Sequence, residues 1–171
     1  MRPLTDDEIK IVFEKLSKYI GGKIKHMIER DDKEHVFRLH RNRVFYCDGD
    51  LVKYAQHFEN KKLVSIGTCI GKFTKTQKFR IHITSLDYLA KYAKNKIWLK
   101  PSGEQSFLYG NHVLKSHIAR ITEDTSQYSG VVIYNINDMP LGFGTMAKST
   151  VQVKDMDPTS IVVFNQGDIG K

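Results

Sequence analysis

The stretch VVIYNINDMPLGFGTM, from Val131 to Met146, is the most informative about the fold of the C-terminal half of the chain. It holds two apolar segments separated by polar residues and a proline, a pattern that predicts two strands. Further short strands are predicted at Ile97 to Leu99, Ile118 to Thr122 and Ile161 to Phe164. Because Gly and Pro separate these strands at intervals of about ten residues, a small β-barrel is predicted here.

The same stretch carries the letters of a dinucleotide-binding fingerprint between Gly142 and Ala147. That fingerprint needs a loop that joins a strand to a helix, followed about twenty residues later by an acidic residue. The glycines here fall inside a predicted strand, so the interpretation is rejected. Gly67 to Lys72 likewise fails as a phosphate-binding loop, because three residues rather than four separate its glycines.

Other candidate chemical sites are equally weak. His112 and His117 are five residues apart and would not share a helix face as a metal-binding pair does. Glu123 and Asp124 lie in a polar segment typical of a solvated turn. The sequence therefore predicts no catalytic residues, no metal site and no cofactor. Three aromatic residues leave base stacking and core packing as open alternatives. They are Trp98, Phe107 and Tyr109.

The N-terminal half shows a different pattern, in which helices and strands are mixed. Thr5 and Glu8 form a capping box before apolar residues spaced three and four apart, which predicts an amphipathic helix that ends at Gly21. The remaining predicted elements are a hairpin of His35 to His40 and Arg43 to Cys47, a helix from Asp48 to Phe58, strands at Leu63 to Ile70 and Phe79 to Thr84, and a helix from Leu86 to Ala93. Leu51, Tyr54, Ala55 and Phe58 are expected to form the buried side of the second helix.

Charge changes at the same place as the pattern. Residues 1–94 contain 20 Lys and Arg against 12 Asp and Glu, whereas residues 95–171 contain 7 of each kind. We therefore expect a fold of the α+β class with two domains, an N-terminal antiparallel-sheet α/β domain over residues 1–94 and a β-barrel domain over residues 95–171. The excess of positive charge predicts a polyanionic partner, with nucleic acid favoured over a membrane surface.

The densest positive stretch is GKFTKTQKFRIHIT, Gly71 to Thr84, which contains no carboxylate. Alternation places Arg80 on the face opposite Phe79, and Lys72 is expected in the connecting loop. An RNA-facing patch is predicted, and its members are Lys72, Lys75, Lys78 and Arg80. A merely solvated surface is the alternative interpretation of such a charge run.

No apolar run approaches eighteen residues and no apolar signal core follows Met1, so an intracellular protein without a membrane span is expected. Cys47 and Cys69 have neither CxxC nor zinc-ligand spacing. They are expected to be buried free thiols.

Four stretches resemble the Nip-seven family of large ribosomal subunit biogenesis factors, in the same order along the chain. They are RPLTDDE (2–8), KFTKTQKFRIHITSLDYLAKYAK (72–94), KPSGEQSFLYGNHVLKSHI (100–118) and VIYNINDMPLGFGTMAKST (132–150). The resemblance implies that the barrel is a PUA pseudo-barrel, that the protein is nuclear and nucleolar, and that it acts in pre-rRNA processing. Implied partners are pre-rRNA and pre-ribosomal assembly proteins, with the free protein monomeric.

The resemblance also implies site residues in the PUA domain. RNA-binding PUA domains present their first helix and last strand to RNA, which brings in His112, Lys115 and Arg120, and Lys100 is added as a neighbouring cation. A short helix is expected near Asn111 to Ser116. The segment from Asp155 to Gly170 has no Lys or Arg, so strong RNA binding by the last strand alone is not expected.

Family members usually continue past the position of Lys171, and whether the natural chain does so is left open by the resemblance. Two other functions remain open, namely a PUA-bearing RNA-modifying enzyme and a protein-protein adaptor within the pre-ribosome.

Overall fold

Two compact units emerge from the computed structural model, which describes residues 1–59, 62–63 and 66–170. The first unit consists of Met1–Ser17 and Gly21–Ser85, and the second consists of Lys18–Ile20 and the residues from Leu86 onward. Each unit has its own sheet. No helix in the described part of the chain is long and apolar enough to cross a bilayer.

The first unit contains a five-stranded antiparallel sheet whose strands lie side by side in chain order. They are β1 (Arg2–Pro3), β2 (His35–His40), β3 (Arg43–Asp48), β4 (Thr68–Phe73) and β5 (Phe79–Ile81). The predicted hairpin of β2 and β3 is confirmed. Its turn residues Arg41 and Asn42 both have positive φ angles, 51° and 66°, as a two-residue turn between twisted strands requires.

Helix α1 (Asp6–Ile20) begins with the predicted capping box and ends at Gly21, which has a φ of 58°. The Thr5 hydroxyl accepts from the Glu8 amide, and the Glu8 carboxylate accepts from the Thr5 amide at 2.9 Å. Phe13 lies 5.5 Å from Phe37 of β2, ring centroid to ring centroid, so the apolar side of α1 contacts the sheet. A short helix, α2 (Lys25–Ile28), follows.

The next helix, α3 (Gly49–Ala55), is shorter than predicted, and its buried side was predicted wrongly. Val52 and Ala55 are buried, whereas Leu51, Tyr54 and Phe58 are 43, 69 and 59% exposed. The inward face of the helix is the one that carries Val52 and Ala55, and Phe58 lies beyond the end of the helix at Ala55.

The strand predicted at Leu63 to Ile70 falls partly on residues 64 and 65, outside the described residues. Strand β4 starts at Thr68 and runs on to Phe73, so Lys72 lies in a strand and not in the expected loop. Strand pairing continues here because Gly71 has no side chain. A Cβ at Gly71 would lie 2.6 Å from Cζ of Phe79.

The second unit contains a six-stranded sheet with the order β7-β11-β10-β9-β6-β8. Its strands are β6 (Lys96–Leu99), β7 (Val113–Leu114), β8 (Ile118–Ile121), β9 (Gly130–Asn135), β10 (Pro140–Met146) and β11 (Ile161–Asp168). Only β6 and β9 pair in parallel, and the other described pairings are antiparallel. The sheet encloses an apolar core that includes Ile97, Leu99, Phe107, Val131, Ile133, Leu141, Met146 and Val163.

Three helices complete this unit, α4 (Leu86–Lys91), α5 (Pro101–Leu108) and α6 (Thr150–Val153). Helix α5 was not predicted from the sequence. Its first residue is Pro101, and a proline fits the first turn of a helix because its missing N–H is not needed there. The helix expected near Asn111 to Ser116 is wrong. That segment holds β7 and a 310 turn, Lys115–His117.

Gly142 and Gly144 lie inside β10, as predicted. A Cβ at Gly142 would collide with the Gly167 carbonyl oxygen, and one at Gly144 with the Phe164 carbonyl oxygen. The glycines therefore allow β10 and β11 to approach closely, which explains the false dinucleotide letters.

We predict that Gly142→Ala lowers the free energy of unfolding by about 2 kcal/mol, because overpacking forces β11 away from β10. Gly22→Ala is the matched control, since nothing lies within 4 Å of a Cβ at that position. Urea unfolding of both variants checks this. Equal stability of the two would contradict the close approach of the strands.

Candidate nucleic-acid interface

Three cations lie side by side across strands β3, β4 and β5. Arg43 is directly opposite Lys72, and Lys72 is directly opposite Arg80. Directly opposite residues point to the same face of a sheet, about 5 Å apart. All three are exposed. We call Arg43, Lys72 and Arg80 the cationic row.

No carboxylate of the described residues forms an ion pair with the cationic row. The ion pairs in that part of the chain are Arg2–Glu8, Arg30–Asp32 and Lys33–Asp48, at 2.8, 2.6 and 3.5 Å. Like charges directly opposite each other on a sheet destabilise it. The row therefore carries an electrostatic cost that a bound polyanion would relieve.

The loop between β4 and β5 adds two exposed lysines, Lys75 and Lys78. This loop is held by its own hydrogen bonds. The Thr74 amide donates to the Lys78 carbonyl at 2.8 Å, and the Lys78 amide donates to the Thr74 hydroxyl at 3.1 Å. Gln77 has a φ of 64° at the turn. We call β4, β5 and this loop the basic hairpin.

His82 reports the positive potential of this face. Its Nδ1 lies 3.8 Å from the Sγ of Cys69, on β4. Its pKa is lowered by burial and further by the charges of Arg43 and Lys72, which disfavour the imidazolium. Cys69 and Cys47 are free thiols as predicted, Cys47 buried and Cys69 half-buried, and burial raises the pKa of both.

The predicted site residues of the second unit make separate sets of contacts. Lys115 donates through Nζ to the carbonyls of Lys154 and Met156, at 3.0 and 2.6 Å, and so holds the end of α6. His112 accepts from the Asn165 amide at 3.0 Å through Nδ1. Lys100 is exposed at the N-terminus of α5.

Arg120 lies on β8 directly opposite Trp98, and its Cζ is 4.6 Å from the centre of the Trp98 ring. The three aromatic residues for which the sequence allowed either base stacking or core packing differ in their surroundings. Phe107 is 1% exposed and belongs to the core, Tyr109 is 77% exposed, and Trp98 stacks on Tyr134.

Two family models together match most of the chain. The NIP7/UPF0113 pre-PUA domain matches residues 1–83, and the UPF0113 PUA domain matches residues 95–171. The chain is also 61% identical over 171 residues to the 60S ribosome subunit biogenesis protein NIP7 homolog of Xenopus laevis, covering all of this chain and 95% of the frog protein. The chain belongs to the NIP7/UPF0113 family.

Solved structures agree with this fold at low sequence identity. A hypothetical protein from Pyrococcus horikoshii has a TM-score of 0.62 and 14% identity, covering 98% of this chain and 93% of that one. A PUA-domain structure from Aeropyrum pernix has a TM-score of 0.64 and 10% identity, covering 99% and 86%. The predicted fold class is confirmed, an α+β chain that carries the PUA domain of the NIP7/UPF0113 family.

Arg43 was not among the predicted members of the interface. Its position directly after the Arg41–Asn42 turn identifies it as the first residue of β3, the strand that pairs with β2. The pairing of β3 with β4 was not evident, because a separation of more than twenty residues leaves the register to tertiary packing.

We predict that the His82 imidazole titrates below the ordinary histidine pKa of about 6.5. Combining Arg43→Gln with Lys72→Gln should raise this pKa, because two repelling charges are removed. NMR titration of the histidine ring protons measures both values. An unchanged pKa in the double variant would show that the row does not act on His82.

The same shift sets the direction of a pH effect. Native His82 binds a proton less tightly than His82 of the unfolded chain, so its protonation favours unfolding. Its contribution to stability is therefore complete above pH of about 6.5 and is lost as the pH falls below that value.

Proposed function

We propose that this protein is an RNA-binding factor that acts in assembly of the 60S ribosomal subunit and in pre-rRNA processing. The cationic row is the observation that carries the RNA-binding part. The assembly pathway is supported by relatives 57–61% identical that are named as 60S ribosome subunit biogenesis proteins. Pre-rRNA and pre-ribosomal assembly proteins are the proposed partners.

The row and the basic hairpin suit phosphates better than bases. Their five cations are exposed, and none of them forms an ion pair with a carboxylate of the described residues. Cations of this kind fix the position of a nucleic acid without reading its sequence. We therefore assign this surface to the RNA backbone.

The other features are proposed from the sequence pattern and the family resemblance. We propose two domains, residues 1–94 and 95–171, a nucleolar location, a monomeric state outside the pre-ribosome, and a role without catalytic turnover. Methyl transfer or another modification of rRNA by the purified protein would contradict the last point. Lys100 and Arg120 are the PUA-domain cations proposed to contact RNA. Lys115 and His112 form hydrogen bonds within the protein. RNA binding by these two residues stays a prediction.

We predict salt-dependent binding of single-stranded RNA through the row and the hairpin. If about five phosphates are contacted, log affinity falls with log salt with a slope near −3.5, or about a hundredfold between 50 and 200 mM salt. A triple variant with Arg43→Gln, Lys72→Gln and Arg80→Gln should reduce the slope by about 2. Fluorescence anisotropy of a labelled oligonucleotide, at several salt concentrations, measures these slopes.

The matched control removes three exposed lysines elsewhere, through Lys10→Gln, Lys53→Gln and Lys148→Gln. It changes the net charge by the same amount, so it separates the row from a general charge effect. Circular dichroism confirms that each variant is folded. Equal slopes for the two triple variants would reduce the row to a solvated surface.

A further inference from the structure

Three strands of the PUA domain align one residue each into a stack. Trp98 of β6 is directly opposite Tyr134 of β9 on one side and Arg120 of β8 on the other. The two aromatic rings have centroids 5.8 Å apart and planes inclined by 24°. We call Tyr134, Trp98 and Arg120 the stacked ladder.

The Trp98 indole has no vacant face for a ligand. Tyr134 lies against it on one side, the Arg120 guanidinium lies against it on the other, and its N–H donates to the Asp138 carboxylate at 2.6 Å. The Tyr134 hydroxyl in turn donates to the Ala90 carbonyl at 2.9 Å. The indole is therefore fixed at the middle of the ladder, and only the Arg120 end is open.

Arg120 is open because β8 is the edge strand of its sheet. The residue is exposed, and no carboxylate of the described chain forms an ion pair with it. The indole beneath it supplies cation-π attraction and restricts its rotamers. Less conformational entropy is then lost when a ligand binds, which is the usual benefit of preorganisation.

The geometry points to Arg120 as a stacking site for an unpaired nucleobase, which would extend the ladder beyond the edge strand. Guanidinium planes stack on nucleobases, and the guanidinium edge still offers N–H donors to a neighbouring phosphate. This inference rests on the proposed RNA-binding function. It adds a contact that responds to the base, whereas the cationic row responds to the backbone.

The chain provides its own probe for this site, because Trp98 is its single tryptophan. A base that stacks on Arg120 changes the environment of the guanidinium that covers the indole. We expect oligoadenylate to change the fluorescence of Trp98. An abasic oligonucleotide with the same number of phosphates should bind through its backbone and leave that fluorescence unchanged.

The decisive variant is Arg120→Lys, which keeps the charge and removes the planar group. We expect its affinity for oligoadenylate to fall on the order of tenfold, as for loss of one stacked base. Its affinity for the abasic oligonucleotide should be unchanged. Urea unfolding of the variant checks that the PUA domain remains folded. Lys148→Arg serves as a control in which an exposed cation outside the ladder changes.

The outcomes separate this inference from the function on which it rests. RNA binding that depends on the cationic row, with unchanged oligoadenylate affinity in Arg120→Lys and unresponsive Trp98 fluorescence, would overturn the stacking site and leave the proposed function standing. Equal losses for oligoadenylate and the abasic strand would reduce Arg120 to a phosphate contact and also overturn it. Absence of any RNA binding would overturn both.

Discussion

The contact between Phe73 and Phe79 determines where the positive charge of the first unit lies. These buried residues are directly opposite each other on β4 and β5, with ring centroids 5.3 Å apart. Because side chains alternate along a strand, burial of this pair sends Lys72 and Arg80 together to the opposite face. Gly71 permits the arrangement by leaving room for the Phe79 ring. An apolar constraint on one face thus creates a like-charge juxtaposition on the other.

The second unit keeps an unpaired cation by a different means. Arg120 is supported by an indole instead of a carboxylate, so its charge is held in place but not neutralised. The cationic row consists of like charges on neighbouring strands, and in the described residues no aromatic ring packs against these charged groups. Surfaces of these two kinds suit two parts of one ligand class, phosphates that need charge and bases that need a flat group.

The features that could be predicted from the sequence are those set by neighbouring residues. The Thr5 capping box and the Arg41–Asn42 turn each depend on a few consecutive positions, and the basic character of 71–84 is a matter of composition. The features that were missed depend on strand pairing. Arg43 joins the row only through the register of β3 with β4, and the Arg120 stack exists only because β8 pairs with β6. Helix α5 was missed for another reason. Pro101 and Gly103 are residue types that are frequent in turns, and proline is also frequent at the first position of a helix, so the sequence does not distinguish the two structures.

We propose that the cationic row is maintained against its own repulsion because it binds an anion. The most direct measurement is the free energy of unfolding of Lys72→Gln at low and high salt, without RNA. We predict that the variant is more stable than the natural chain by up to about 1 kcal/mol at low salt, because Lys72 has a like charge on either side. Salt should shrink this gain by screening. A variant that is less stable than the natural chain, or a difference that salt does not alter, would contradict the claim.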